Sequence, residues 1–211
     1  MFDLEYKGGN TVVFSTKKLS LIVDPKLSLV GLRDMKLKDG VELATENRFS
    51  VRDSEAQLIV DQPGEYEVGD FTIRGIAATR HIDTPEQEKL STMYRIECGD
   101  VNVAVLGNID PKLNDDQLEG IGVVDILIIP VGGGGYTLDA TSAATLTRSI
   151  EPKAVVPVHY ADSGLTYEVP QDQLSTFISE LGAPAETMAK YKVKSSTSLP
   201  ATLTVIELTR S

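Results

Sequence analysis

The chain is nearly empty of the residues that usually bind transition metals: it holds one cysteine, Cys98, and two histidines, His81 and His159. That count excludes any all-protein centre of four Cys, three Cys with His, two of each, or three His, and with them most zinc chemistry. Tryptophan is missing altogether, and no apolar run reaches the ~18 residues that a membrane span needs. Basic residues are the minority, 20 against 31 acidic ones, for a net charge of -11. A protein that binds nucleic acid by neutralising phosphates shows the opposite balance. The basic concentrations, Lys17-Lys18 and the alternation Lys190, Lys192, Lys194, read as solvated strand edges, so nucleic acid is not an expected partner. The N-terminus, MFDLEYKGGN, lacks a basic segment leading into an apolar one, and a single cysteine fits a reducing compartment. A cytoplasmic protein without a membrane partner is the expectation.

What the chain does have is an ordinary globular composition, 41% hydrophobic and 24% charged over 211 residues. A chain of this size buries well over half of its unfolded surface without disulfide staples. No low-complexity tract or linker interrupts it, so one domain over residues 1–211 is expected.

Alternating or clustered apolar residues predict strands at 3–6, 11–15 and 19–23, with turns at Gly8-Gly9-Asn10 and Thr16-Lys17-Lys18. Residues 25–56 are charged and poor in apolar runs, with one short strand near 41–45. Strands follow at 57–61, 64–68, 71–78, 92–98 and 101–106, with Gly69-Asp70 and Gly99-Asp100 as two-residue hairpin turns. The first half is therefore β-rich and antiparallel. From Asn108 onward helices at 114–120, 140–149 and 171–181 alternate with strands at 125–130, 154–159 and 202–207. Asp139 is placed to cap the second helix, and Pro152 lies just beyond its end.

The glycine run 132–135 ahead of a helix has the look of a phosphate cradle. It lacks the Lys-Ser/Thr of a P-loop, and Asp139 brings a negative charge to the place where a phosphate would sit, so a plain strand-to-helix turn is the better reading. Polar residues cluster at strand ends: Asp24, His81, Asp83, Asn108, Asp110 and His159, the last followed by Tyr160. Such positions face the loops where sites on α/β scaffolds sit. An isolated histidine there is also commonly a structural one.

Several stretches carry a resemblance to a known family: Leu21-Ile22-Val23-Asp24-Pro25, Asp61-Gln62-Pro63-Gly64-Glu65-Tyr66-Glu67-Val68, Val103-Ala104-Val105-Leu106-Gly107-Asn108, Leu127-Ile128-Ile129-Pro130-Val131-Gly132-Gly133 and Glu151-Pro152-Lys153-Ala154-Val155-Val156-Pro157-Val158-His159-Tyr160. Over essentially the whole chain the sequence resembles the metallo-β-lactamase superfamily, in particular its small zinc-dependent hydrolase branch related to the ascorbate-phosphate lactonases. The resemblance implies a four-layer αββα sandwich with the site at one edge, between the two sheets.

Against that pattern the chain departs. Active relatives carry a His-x-His-x-Asp-His motif after the strand matching 41–45, where this sequence reads Glu46-Asn47-Arg48-Phe49-Ser50-Val51. The bridging aspartate of the family is matched by Asn108, the middle histidine by His81 and the last by His159. Arg48 would place a permanent cation near one metal position and repel a divalent ion. The expectation is an ion pair from Arg48 to Glu46, or to Asp24, standing where the metal's charge would be. No metal or other cofactor is expected, and no catalytic residue can be assigned. The ligand or rim candidates are Asp24, Glu46, Arg48, His81, Asp83, Asn108, Asp110, His159 and Tyr160.

Three functions compete on this reading. One is a non-hydrolytic binding or regulatory module with a small-molecule or protein partner. The alternative is a hydrolase of lactones or phosphoesters with a rebuilt mononuclear zinc or manganese site, made of His81, His159 and a carboxylate such as Asp24, Glu46 or Asp110. A structural subunit with an inert rim is the third.

Overall fold

The computed structural model describes residues 1–53, 55–82 and 90–211. In β1 (Phe2–Gly8) the alternation is explicit: Phe2, Leu4 and Tyr6 are buried, while Asp3 and Glu5 between them are turned outward. β2 (Thr11–Ser15) and β3 (Ser20–Val23) continue the antiparallel meander. β4 (Val41–Leu43) and β5 (Leu58–Val60) then pair in parallel, β4 on β3 and β5 on β4. This departs from the antiparallel expectation for the first half. The cause is chain length: the connections 24–40 and 44–57 are long enough for parallel crossovers, which a tight turn cannot make.

The second sheet begins with β6 (Gly64–Val68), β7 (Phe71–Ala78), β8 (Ser91–Cys98) and β9 (Val101–Val105), all antiparallel neighbours. Gly69 and Gly99 take left-handed φ of 61° and 64° in the two hairpin turns, as expected for such positions. Helix α1 (Asp115–Ile121) starts in a reciprocal capping box between Asn114 and Gln117. Strand β10 (Ile126–Pro130), helix α2 (Ala140–Ile150) and strand β11 (Ala154–Val158) follow. Both strands are buried along their whole length, as parallel strands covered on two faces must be. Asp139 caps α2 by accepting the Ser142 N–H at 2.7 Å. Helix α3 (Leu174–Leu181) is shorter than the expected 171–181, because Gln171 to Gln173 run as extended loop.

The C-terminal segment holds two strands that the sequence pattern did not reveal, β12 (Ala185–Met188) and β13 (Tyr191–Val193), before the closing β14 (Thr204–Leu208). The six-stranded sheet has the order β13-β1-β2-β3-β4-β5, and the eight-stranded sheet β12-β14-β11-β10-β9-β8-β7-β6. β13 is thus an edge strand, and Lys190, Lys192 and Lys194 lie on or beside it. That agrees with the solvated-edge reading and discourages edge pairing.

One core lies between the sheets, with Phe2, Leu4, Tyr6, Phe14, Leu21 and Leu43 facing Phe71, Ile73, Tyr94, Ile96, Val156 and Ile206. A second core joins all three helices to the far face of the eight-stranded sheet. The six-stranded sheet has no α-helix on its outer face among the described residues. There loop 50–53 closes over the buried Glu42, which accepts from the Ser50 hydroxyl and the backbone N–H groups of Val51, Arg52 and Asp53. No helix of the described residues is long and apolar enough to cross a membrane.

Candidate functional site

Parallel pairing brings the C-terminal ends of β3 and β4 to the same edge, and those of β9, β10 and β11 to the edge of the opposite sheet. The residue runs just beyond these ends form one rim. Asp24 follows β3 in a left-handed backbone conformation, φ 50°. Its carboxylate accepts from the Thr45 N–H and the Thr45 hydroxyl, both at 2.7 Å. Thr45 in turn accepts the Thr92 N–H at 2.8 Å, tying this corner to the other sheet. Gly107 makes the approach possible: a Cβ there would stand 2.8 Å from the Thr45 Cβ. Burial raises the Asp24 carboxyl to about 7, against the pull of its Thr45 hydrogen bonds and the Arg48 charge.

Glu46 is the hub of the rim and only 3% exposed. Its Oε2 accepts from Arg48 Nε at 2.9 Å and from an Arg80 terminal nitrogen at 3.5 Å, and its Oε1 accepts from Asn108 Nδ2 at 3.3 Å. Burial pushes its carboxyl upward while the two guanidiniums hold it down; burial is the larger effect. The expected Arg48 ion pair therefore forms with Glu46; no pair joins Arg48 to Asp24. The Arg48 guanidinium is also packed 4.6 Å from the ring centres of both Phe49 and Tyr136. Asn108, fully buried, accepts at Oδ1 from Asn10 Nδ2 at 3.2 Å.

His159 follows β11 with φ 51°, its N–H donating to the Gly9 carbonyl at 2.8 Å. Its Nδ1 faces Gln171 Oε1 at 3.1 Å. Burial lowers its imidazole to about 4, so the ring is neutral near pH 7. Two adjoining narrow clefts share the walls Leu29, Val30, Phe49 and His159: one, of about 30 Å³, runs toward Tyr136, Tyr167 and Gln171, the other, of about 20 Å³, toward Asn10, Asp24 and Lys26, each with room for little more than a water molecule.

Of the residues singled out by sequence, Asp24, Glu46, Arg48, Asn108 and His159 meet at this rim. His81 reaches it through its backbone, donating its N–H to the Asn108 carbonyl at 2.9 Å, but its ring is in the wall of neither cleft. Asp110 turns to its own loop and accepts the Lys112 N–H at 2.8 Å. Tyr160 points the other way, its ring stacked on Tyr6 at 5.7 Å. Asp83 lies outside the described residues. Asn10, Thr45, Tyr136 and Gln171 were not anticipated. The glycine run behaves as a turn: Gly133, Gly134 and Gly135 have φ of 65°, 70° and 73°, and the Gly133 N–H is used by the Leu138 carbonyl.

The donor set does not fit the metal centre that the fold family implies. Both Asp24 oxygens are engaged by Thr45, Glu46 is engaged by two guanidiniums, and Asn108 is neutral. Among the described residues, no three of His, Cys, Asp or Glu stand close enough together to hold a metal ion.

The rim at the strand ends of two stacked sheets defines a class, and sequence comparison agrees with it. The chain belongs to the β-lactamase superfamily domain family, whose model matches residues 3–159. A metal-dependent hydrolase of Natranaerobius thermophilus is 49% identical over 37 residues, a match spanning 18% of this chain and only 16% of that relative's length. Among solved structures, a protein of the metallo-β-lactamase superfamily from Thermotoga maritima, assigned as a zinc-dependent hydrolase, is similar with a TM-score of 0.74 at 17% identity, over 99% of this chain and 100% of that one. A metallo hydrolase of Ignicoccus hospitalis gives 0.67 at 16% identity, covering 92% and 99%. At these identities the structural likeness carries the fold.

Proposed function

We propose that this protein is a non-hydrolytic binding or regulatory module built on the metallo-β-lactamase fold, with the Arg48–Glu46–Arg80 cluster occupying the ground on which relatives generate a metal-bound nucleophile. The observation that carries the reading is the commitment of Glu46: a buried carboxylate paired with two permanent cations is a poor metal ligand, and those cations repel a divalent ion. Without a metal, no described residue of the rim lowers the pKa of a water toward neutrality. The alternative reading, a mononuclear zinc or manganese hydrolase, draws its support from the neutral His159, whose Nδ1 partner leaves the other ring nitrogen available for coordination.

The test is a hydrolysis screen of lactones and phosphodiesters with added zinc or manganese. No turnover above buffer is expected. Turnover that disappears in His159→Ala would overturn the proposal in favour of the alternative.

A further inference from the structure

Arg48 is engaged at one corner only. Its Nε donates to the buried Glu46 at 2.9 Å, and its guanidinium is packed 4.6 Å from the ring centres of Phe49 and Tyr136. These contacts fix the group in place and leave the edge formed by its two terminal nitrogens. The one ion-pair partner of that edge among the described residues is Glu168 Oε2, at 3.9 Å, a charge contact beyond hydrogen-bond length. The Glu168 side chain is 63% exposed and that of Arg48 31%, and a pair this long and this wet holds its members weakly. An arginine fork matches a planar carboxylate with two parallel N–H donors, and here that match is unused.

A second cation flanks the same mouth. Lys26 lines the other narrow cleft, and its backbone N–H donates to the Phe49 carbonyl at 3.1 Å, so Phe49 stands between it and Arg48 along the rim. The Lys26 ammonium makes no ion pair among the described residues. In a chain of net charge -11, two under-compensated cations at one mouth form a local anion-attracting field against the general one. The clefts themselves admit little more than water, so a ligand seats across their mouth rather than inside them. There Leu29, exposed, and Tyr136 and Val169, half-buried, offer an apolar ledge.

We propose that the mouth of the rim is a carboxylate site: a small ionised monocarboxylic acid accepts from the terminal N–H groups of Arg48, with Lys26 as the flanking charge, and rests its apolar body on Leu29, Tyr136 and Val169. Glu168 is the internal carboxylate that this ligand displaces. The exchange replaces a long charge contact by a fork of hydrogen bonds and requires only an exposed side chain to move. One fork and one lysine suit a single negative charge, whereas a phosphate dianion brings a second charge toward the buried Glu46. The inference rests on the binding-module reading and names the ligand chemistry of that site.

Benzoate is the probe, with benzyl alcohol, benzylamine and phenyl phosphate as neutral, cationic and dianionic controls, each titrated at low salt into the ¹⁵N-labelled full chain and followed by NMR. Benzoate is expected to bind at millimolar concentration, to move the Arg48 Nε–H signal together with the backbone signals of Leu29 and Val169, and to lose affinity as sodium chloride is added. Glu168→Gln, a change at an exposed side chain, is expected to tighten benzoate binding about twofold. Arg48→Lys, which keeps a cation beside Glu46 but loses the fork, is expected to weaken it about fivefold. The Glu168 variant keeps the test decisive if Arg48→Lys fails to fold. Benzyl alcohol or benzylamine binding as tightly as benzoate, absence of any benzoate response, or benzoate affinity unchanged by both variants overturns the inference, and tighter binding of phenyl phosphate overturns the carboxylate assignment. Zinc titrated alone separates the two layers of the account. A stoichiometric zinc response at His159 sinks the binding-module reading itself, whereas silence toward benzoate without a zinc response sinks only the carboxylate site.

Discussion

Asp24 and His159 are perturbed in opposite senses by the same cause, burial beside one another's cleft wall. A carboxyl raised from 3.8 to about 7 makes the folded state bind the extra proton between those values, so Asp24's contribution to stability falls as pH rises through that window. An imidazole lowered from 6.5 to about 4 makes the unfolded state bind the extra proton, so His159's contribution rises with pH over 4 to 6.5. Urea unfolding of variants between pH 4 and 7 separates them: relative to the wild type, Asp24→Asn gains stability as pH rises and His159→Gln loses it. Parallel curves would contradict the burial assigned to both groups. The Glu46 hub makes a second prediction at this scale. Removing Arg48 leaves a buried carboxylate with only the longer Arg80 contact and the Asn108 amide, so Arg48→Ala is expected to cost about 2–3 kcal/mol. The double variant Arg48→Ala/Glu46→Gln recovers part of that loss, and a double-mutant cycle by chemical denaturation reads the coupling. The Arg48 to Glu46 pair was legible because both lie on one short stretch. Asn10 and Gln171 were not, because each gains its meaning only from a partner about 100 residues away, or from a histidine across the rim.

Elements place these side chains through a few tight approaches. At Gly132 an added Cβ would lie 2.2 Å from the His159 carbonyl oxygen and 2.4 Å from Gln171 Oε1. Gly132→Ala is therefore expected to displace the Gln171 to His159 hydrogen bond as well as to destabilise the fold, visible as a changed imidazole tautomer in ¹⁵N spectra. A variant with an unchanged His159 signal would show that the strand end is softer than this packing implies. Strands with strong alternation or long apolar runs, such as β1, β7 and β10, were readable from sequence, as were the hairpin glycines. β12 and β13 were not: they have four and three residues, too few to show a period, and they exist as strands because β14 and β1 offer them edges. The parallel pairing of β3, β4 and β5 is likewise a tertiary fact, set by which edges the long connections can reach.

For the molecule as a whole, the sandwich of the β-lactamase superfamily is present, and the proposal concerns the chemistry at its rim. Its strand ends carry Asp24 held by Thr45, Glu46 held by two arginines, a neutral Asn108 and one oriented histidine. In the proposed reading, this cluster supplies by ion pairing and hydrogen bonds the cohesion that a bridging metal would supply. The most direct test of that account is elemental analysis of the untagged protein, purified without chelator and then dialysed against zinc. Well under one metal per chain, unchanged in His159→Ala, is the predicted result; near-stoichiometric zinc that His159→Ala abolishes would contradict it.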